Sequence, residues 1–201
     1  VAALYLIGLY FAGVAGSVPR EEYAGRLNSL NSLPDAVGEI LTAPEKVQYL
    51  AAQYASARDV FFIGRGMDYA SALEGALKLK EISYIHAEAY PAGELKHGTI
   101  SLIEKGSPVV TVAVDPDLFE KTLSNVVEVA TRGASVIAVA ARSNARIEQK
   151  SAHTVFIPDC SPLIAPVLTA VILQLFGYYV AAAKGLDIDK PRNLAKSVTV
   201  E

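Results

Sequence analysis

The chain has 201 residues, 52% of them hydrophobic and 19% charged, which gives enough apolar surface for a sizeable core and excludes a disordered chain. A net charge of −3 without a dominant basic stretch argues against a phosphate-backbone binder, so no nucleic-acid partner is expected. A single cysteine, Cys160, excludes an internal disulfide and a cysteine-based zinc knuckle, which fits a reducing, cytoplasmic setting.

Residues 1–18 carry no charged side chain, and neither do residues 161–183. Each approaches the roughly 20 residues of a bilayer span. Gly8, Gly13 and Gly16 interrupt the first, and no positive flank precedes it as in a secretory signal. Pro162, Pro166, Thr169, Gln174 and Gly177 interrupt the second. Both are therefore expected to be helices buried in a larger α/β protein or its interface, and no membrane partner is expected.

Helices follow. Residues 20–30 carry Tyr23, Leu27 and Leu30 at helical spacing, the stretch from Pro34 carries Val37, Ile40 and Leu41, and residues 45–56 carry Val47, Leu50 and Ala51. The pattern then changes. Val60-Phe61-Phe62-Ile63 is a short continuous apolar run ending in Gly64-Arg65-Gly66, the signature of a buried strand entering a tight turn. Residues 70–84 read as helix and 108–114 as a second strand. Asp115-Pro116 reads as the cap and first turn of a helix bearing Phe119, Leu123, Val126, Val127 and Ala130, stopped at Gly133. Residues 135–140 and 154–157 read as two more strands, and 161–184 hold the long apolar helix. Alternating apolar strands and helices predict an α/β fold: a three-layer, doubly wound parallel sheet preceded by helices. The tail, residues 187–201, is polar and lacks a helical period, which by composition alone reads as a frayed terminus.

The Gly64-Arg65-Gly66 turn lies where doubly wound sheets bind ligands, beyond the carboxyl ends of the strands. A dinucleotide fingerprint needs a third glycine at position 69, which is Tyr69, so no NAD cofactor is expected. On the following helix Glu74, Lys78 and Glu81 fall at i, i+4 and i+7 and form one stripe. Such a stripe is either a solvated face with two weak ion pairs or a carboxylate base held beside an ammonium group. The second arrangement suits proton transfer next to a sugar carbonyl, because the cation stabilises developing negative charge. His86 and His97 have no ligand-type partner at i+3 or i+4, and no metal is expected. His97, in a polar glycine-flanked segment, is either a proton shuttle or a capping residue. Cys160, between Pro158 and Pro162, reads as a packing residue and not a nucleophile.

The run FFIGRGMDYASALEGALKLKEISYIHAEAYPAGELKHGTISLI, residues 61–103, and the ending DKPRNLAKSVTVE, residues 189–201, together resemble the second sugar isomerase (SIS) domain of the glutamine–fructose-6-phosphate amidotransferases. The resemblance spans essentially the whole chain. It implies a SIS domain of flavodoxin-like, nucleotide-binding-type topology and a role in converting fructose-6-phosphate and glutamine to glucosamine-6-phosphate and glutamate. It assigns Glu81 as the base that moves a proton between carbons 1 and 2 of the sugar, and Lys78 as the lysine near the reacting end. It assigns His97 to ring opening in the neighbouring subunit's site, Lys196 to isomerisation of the sugar, and Ala195 to an adjacent substrate contact. The polar tail becomes an active-site lid, and no cofactor is implied.

The resemblance also implies an organisation. Residues 1–18 correspond to the last helix of a truncated preceding SIS domain, 19–41 to linking helices, 42–185 to the SIS domain, and 186–201 to a C-terminal active-site loop. The expected partners are the phosphosugar substrate, the glutaminase and first SIS domains of a parent chain, and a second copy in a homodimer. The loops after the strands offer Asp68, Tyr69, Asp115 and Asp117 in place of a serine-rich phosphate cradle. This half is therefore expected to lend catalytic groups to a pocket whose phosphate-binding half lies elsewhere, and to be inactive alone. A stand-alone SIS-type phosphosugar isomerase or deglycase, and a non-catalytic phosphosugar-binding module, remain the alternatives.

Overall fold

The structure is a computed structural model that describes residues 1–192. Four helices lead: α1 (Ala2–Ala15), α2 (Arg20–Asn31), α3 (Leu33–Thr42) and α4 (Glu45–Tyr54). Five strands follow: β1 (Asp59–Gly64), β2 (His86–Pro91), β3 (Pro108–Ala113), β4 (Ser135–Ala141) and β5 (His153–Ile157). Between and after them run α5 (Met67–Ser83), α6 (Phe119–Thr131) and α7 (Ala165–Ala183). All four strand pairings are parallel and the order is β2-β1-β3-β4-β5, the flavodoxin-like arrangement that reverses direction between β1 and β3. The expected three-layer doubly wound sheet is present.

Alternation along the central strands explains their unbroken apolar runs. Val60 and Phe62 of β1, Val110 and Val112 of β3, and Ile137 and Val139 of β4 face a layer made of α3, α4, α5 and α7. Phe61 and Ile63, Val109 and Ala113, and Val136, Ala138 and Ala140 face the opposite layer. That second layer consists of α6 and short 3-10 turns at Leu95–His97, Thr99–Leu102 and Arg142–Gln149. Strands buried on both faces have no polar side to show in the sequence.

β2 is the strand that the apolar runs did not announce. It lies at the sheet edge, its register fixed by Asp59 opposite His86 and Phe62 opposite Ala89. His86 and Glu88 are exposed while Ala87 is buried, so its signal is alternation between polar and small residues. A second correction concerns Asp115. Its carboxylate accepts the Asp117 and Leu118 amides at 2.9 and 3.3 Å, which closes a turn, and α6 begins only at Phe119. Asp115 thus closes the turn before the helix without serving as its N-cap, since the same side-chain-to-backbone bond builds both.

Helix α5 leaves the carboxyl end of β1 and returns to the amino end of the sheet. Its buried positions, Asp68, Ser71, Ala72, Gly75, Ala76, Leu79 and Ser83, recur at three- and four-residue spacing. α7 lies beside it. A Cβ on Gly75 would come within 2.8 Å of Leu173 of α7, so this glycine sets the close approach of the two helices. α7 is long and apolar enough to cross a membrane, yet half of it is buried in the fold, packed on α4 and α5. α1 differs: Leu4, Phe11 and Val14 are 72%, 64% and 71% exposed, so most of its apolar surface has no cover among the described residues.

Candidate active site

The solvent side of α5 holds the charged stripe. Lys78 Nζ lies 2.7 Å from Glu81 Oε2, and the two side chains are 35% and 34% exposed. The hydrogen bond to Glu81 raises the Lys78 pKa above its ordinary value, burial opposes this, and the charges of Glu81 and Glu74 reinforce it. Lys78 is therefore held as an ammonium group beside the Glu81 side chain. Of the two ion pairs that the spacing allowed, only this one forms. Glu74 instead accepts a hydrogen bond from Gln174 Nε2 of α7 at 3.2 Å.

The end of α5 also receives Arg192. Tyr84 caps the helix in the left-handed conformation (φ 60°), the only non-glycine residue with positive φ among the described residues. Its hydroxyl accepts the Arg192 backbone N–H at 3.0 Å, and the Arg192 guanidinium lies 3.9 Å from the ring centroid. Sequence reasoning missed Tyr84, because a left-handed cap is normally announced by glycine. Ala195 and Lys196 lie outside the described residues.

His97 is exposed on the 3-10 turn Leu95–His97. Leu95 and Ile100, on either side of it, are buried in the layer opposite α5. The structure therefore brings Lys78 and Glu81 together and keeps His97 away from them, with the sheet between. His86 is on β2, its Nδ1 2.8 Å from Asp59 Oδ1 and its Nε2 3.5 Å from Glu88 Oε1. The Cys160 thiol is pushed up by burial and by Asp159, the reverse of an activated nucleophile.

At the β1/β3 crevice, where such sheets take ligands, the structure holds an internal anion. Buried Asp68 Oδ2 accepts the amides of Val114 at 3.0 Å and Asp115 at 3.1 Å. Burial raises its pKa from 3.8 to about 6, against the lowering effect of the two amides. A cavity of about 220 Å³ beside it is lined by Asp68, Asp115, Asp117 and apolar residues, without a basic side chain. Arg65, the nearest cation in sequence, is turned to Asn125 Oδ1 at 3.0 Å. A phosphate group placed here meets carboxylates and finds two of the crevice amides already taken. The larger cleft, about 670 Å³, opens at the amino end of the sheet between Tyr54, Arg58, His86 and Ser107, and neither Lys78 nor Glu81 lines it.

Comparison with known proteins agrees with this architecture. The SIS domain family matches residues 53–184. The glutamine–fructose-6-phosphate aminotransferase (isomerizing) of Caldanaerobacter subterraneus is 52% identical over 199 residues, covering 99% of this chain and 33% of that protein. The enzyme of the same name from Thermus thermophilus is 47% identical over 201 residues, again covering 33% of its length. The chain thus spans about a third of the length of these curated relatives. The solved C-terminal domain of the glucosamine-fructose-6-phosphate aminotransferase of Francisella tularensis has a TM-score of 0.89 and 36% identity, covering 94% of this chain and 53% of that one. The tagatose-6-phosphate ketose/aldose isomerase of Escherichia coli shares the fold at a TM-score of 0.62 and 23% identity, covering 76% of this chain and 42% of that one. Five parallel strands in flavodoxin-like order, all inside the matched residues, and a family match over more than half of the chain lead to one conclusion: the chain belongs to the SIS domain family.

Proposed function

We propose that this chain is the isomerase portion of a glutamine–fructose-6-phosphate aminotransferase, and that it supplies the groups that move a proton between carbons 1 and 2 of the sugar. The observation that carries the reading is the Lys78–Glu81 pair, half-exposed at the end of α5. In the reaction Glu81 removes the proton from carbon 1 and returns it to carbon 2. Lys78, fixed as a cation, stabilises the negative charge that develops between the two steps. Lys196 and Ala195 of the tail also contact the sugar in this reading, and Arg192, four residues before Lys196, is held at Tyr84.

The acidic crevice at Asp68 supports a division of labour, with the sugar phosphate held by a further SIS domain and the chemistry supplied here. The bare apolar face of α1 fits contact with that domain, and the chain alone makes no amino sugar from glutamine. The sheet between His97 and Glu81 supports a homodimer in which the histidine of one copy opens the sugar ring in the site of the other. A cytoplasmic setting accords with these substrates.

Glu81→Gln in the full-length protein tests the reading. It lowers formation of glucosamine-6-phosphate by about 10²- to 10⁴-fold and leaves glutamine hydrolysis intact. Equal loss of both activities would mark Glu81 as structural.

A further inference from the structure

We propose, resting on the function argued above, that Arg65 is a positioning residue for His97: its side chain braces the crossover that carries the histidine and fixes where it stands for ring opening.

The connection from β2 to β3 has little stiffness of its own. Residues 92–107 form no α-helix, only the 3-10 turns Leu95–His97 and Thr99–Leu102. Short 3-10 turns have poorer hydrogen-bond geometry than an α-helix, so they are placed by what they touch. Leu95 and Ile100 anchor this crossover among the buried side chains of its layer. Its entry is tied to the turn after β1, where the Ala92 amide donates to the Gly64 carbonyl at 2.8 Å.

Arg65, next to Gly64, adds a side-chain tie at the same place. Its Nε donates to Asn125 Oδ1 of α6 at 3.0 Å. Asn125 is buried, and its Nδ2 donates in turn to Glu128 Oε2 at 3.4 Å. The far end of the guanidinium lies against Gly93: a Cβ there would come within 2.8 Å of Arg65 Nη2 and 3.2 Å of its Cζ. Gly93 is not among the glycines with positive φ, so its backbone does not call for glycine; the guanidinium fills the space that a side chain would take. Two turns carry the position onward. The Glu94 amide donates to the Pro91 carbonyl at 2.8 Å, and the His97 amide to the Glu94 carbonyl at 3.0 Å. Arg65 thus joins the β1–α5 turn, α6 and the crossover, at a point four residues before His97. It acts through the crossover and not on the sugar.

Gly93 supplies a variant that leaves the charge of Arg65 in place. Gly93→Ala is allowed by the backbone and meets only the flexible end of Arg65, which it displaces. Arg65→Ala removes the brace outright. In the full-length protein each lowers kcat for glucosamine-6-phosphate formation about tenfold, changes KM for fructose-6-phosphate less than about threefold and leaves glutamine hydrolysis unchanged. In a His97→Ala background neither lowers kcat by more than about twofold, and Gly93→Ala with Arg65→Ala loses no more than Arg65→Ala alone. Hydrogen exchange reads the brace without activity: amides of residues 92–98 exchange at least about fivefold faster in both single variants, and those of residues 108–113 in β3 do not change. Unchanged exchange across residues 92–98 would overturn the brace. So would parental kcat in either single variant when His97→Ala is impaired, or an equal further loss in the His97→Ala background, which would mark Arg65 as structural. If exchange responds as stated and His97→Ala keeps parental kcat, the brace stands and the assignment of His97 to ring opening falls.

Discussion

Lys78 and Glu81 sit one turn apart on α5 with 2.7 Å between their charged atoms, and the proposed reaction gives the two groups opposite roles. Its hydrogen bond to Glu81 keeps Lys78 protonated above the ordinary lysine range, so in the proposed reaction it serves as a cation and not as a base. Lys78→Met preserves much of the apolar stem and removes the charge. The expected result is a loss of about 10²- to 10³-fold in kcat for the sugar reaction, measured in the full-length protein. A variant with parental kcat would show that the ammonium group is spectator to the chemistry.

Asp68 gives the fold a pH dependence of unusual sign. Its pKa is about 6 in the folded chain against the ordinary 3.8 of the unfolded chain. Between those values the native state holds a proton that the unfolded chain has released, so stability falls as pH rises through this window, by about 3 kcal/mol from this group. Asp68→Asn keeps an oxygen for the Val114 and Asp115 amides and cannot ionise. Urea unfolding of parent and variant should therefore show the stability of the variant gaining on the parent between pH 4 and pH 6.5. A constant difference across that range would contradict the assignment.

Gly64 ends β1 and starts the turn into α5. A Cβ at this position would lie 2.5 Å from the Asp68 backbone carbon and oxygen and 2.6 Å from the Tyr69 nitrogen. Backbone atoms cannot swing aside as a side-chain tip can, so the whole first turn of α5 would have to shift. Gly64→Ala is expected to cost about 1–3 kcal/mol, seen as a lowered denaturation midpoint. A parental midpoint would mean that the turn is looser than drawn.

Burial decided how much of this was legible in the sequence. β1, β3, β4 and β5 announced themselves because residues such as Phe61 and Phe62 are both buried, one on each face of the sheet. β2 did not, because Ala87 and Ala89 are too small to make an apolar run between His86 and Glu88. The Lys78–Glu81 contact followed from helical spacing, whereas the bond from Gln174 to Glu74 crosses 100 residues of sequence and needed the packing of α5 on α7. The layer that holds His97 is likewise a property of the topology, set by Leu95 and Ile100 anchoring a crossover on the far face. The left-handed φ of Tyr84 had no local signal, and its hydroxyl contact with the Arg192 amide joins residues 108 apart in sequence.

In the proposed reaction one sugar site draws Glu81 from one copy and His97 from another. Mixing tests it in the full-length protein. Glu81→Gln and His97→Ala proteins, each with little sugar-isomerising activity alone, are unfolded together, refolded and assayed for glucosamine-6-phosphate. If the two residues meet across a twofold dimer, half of the random dimers are mixed and each has one intact site, so activity recovers to about a quarter of the parental rate. Activity no greater than that of the two separate variants would contradict the shared site.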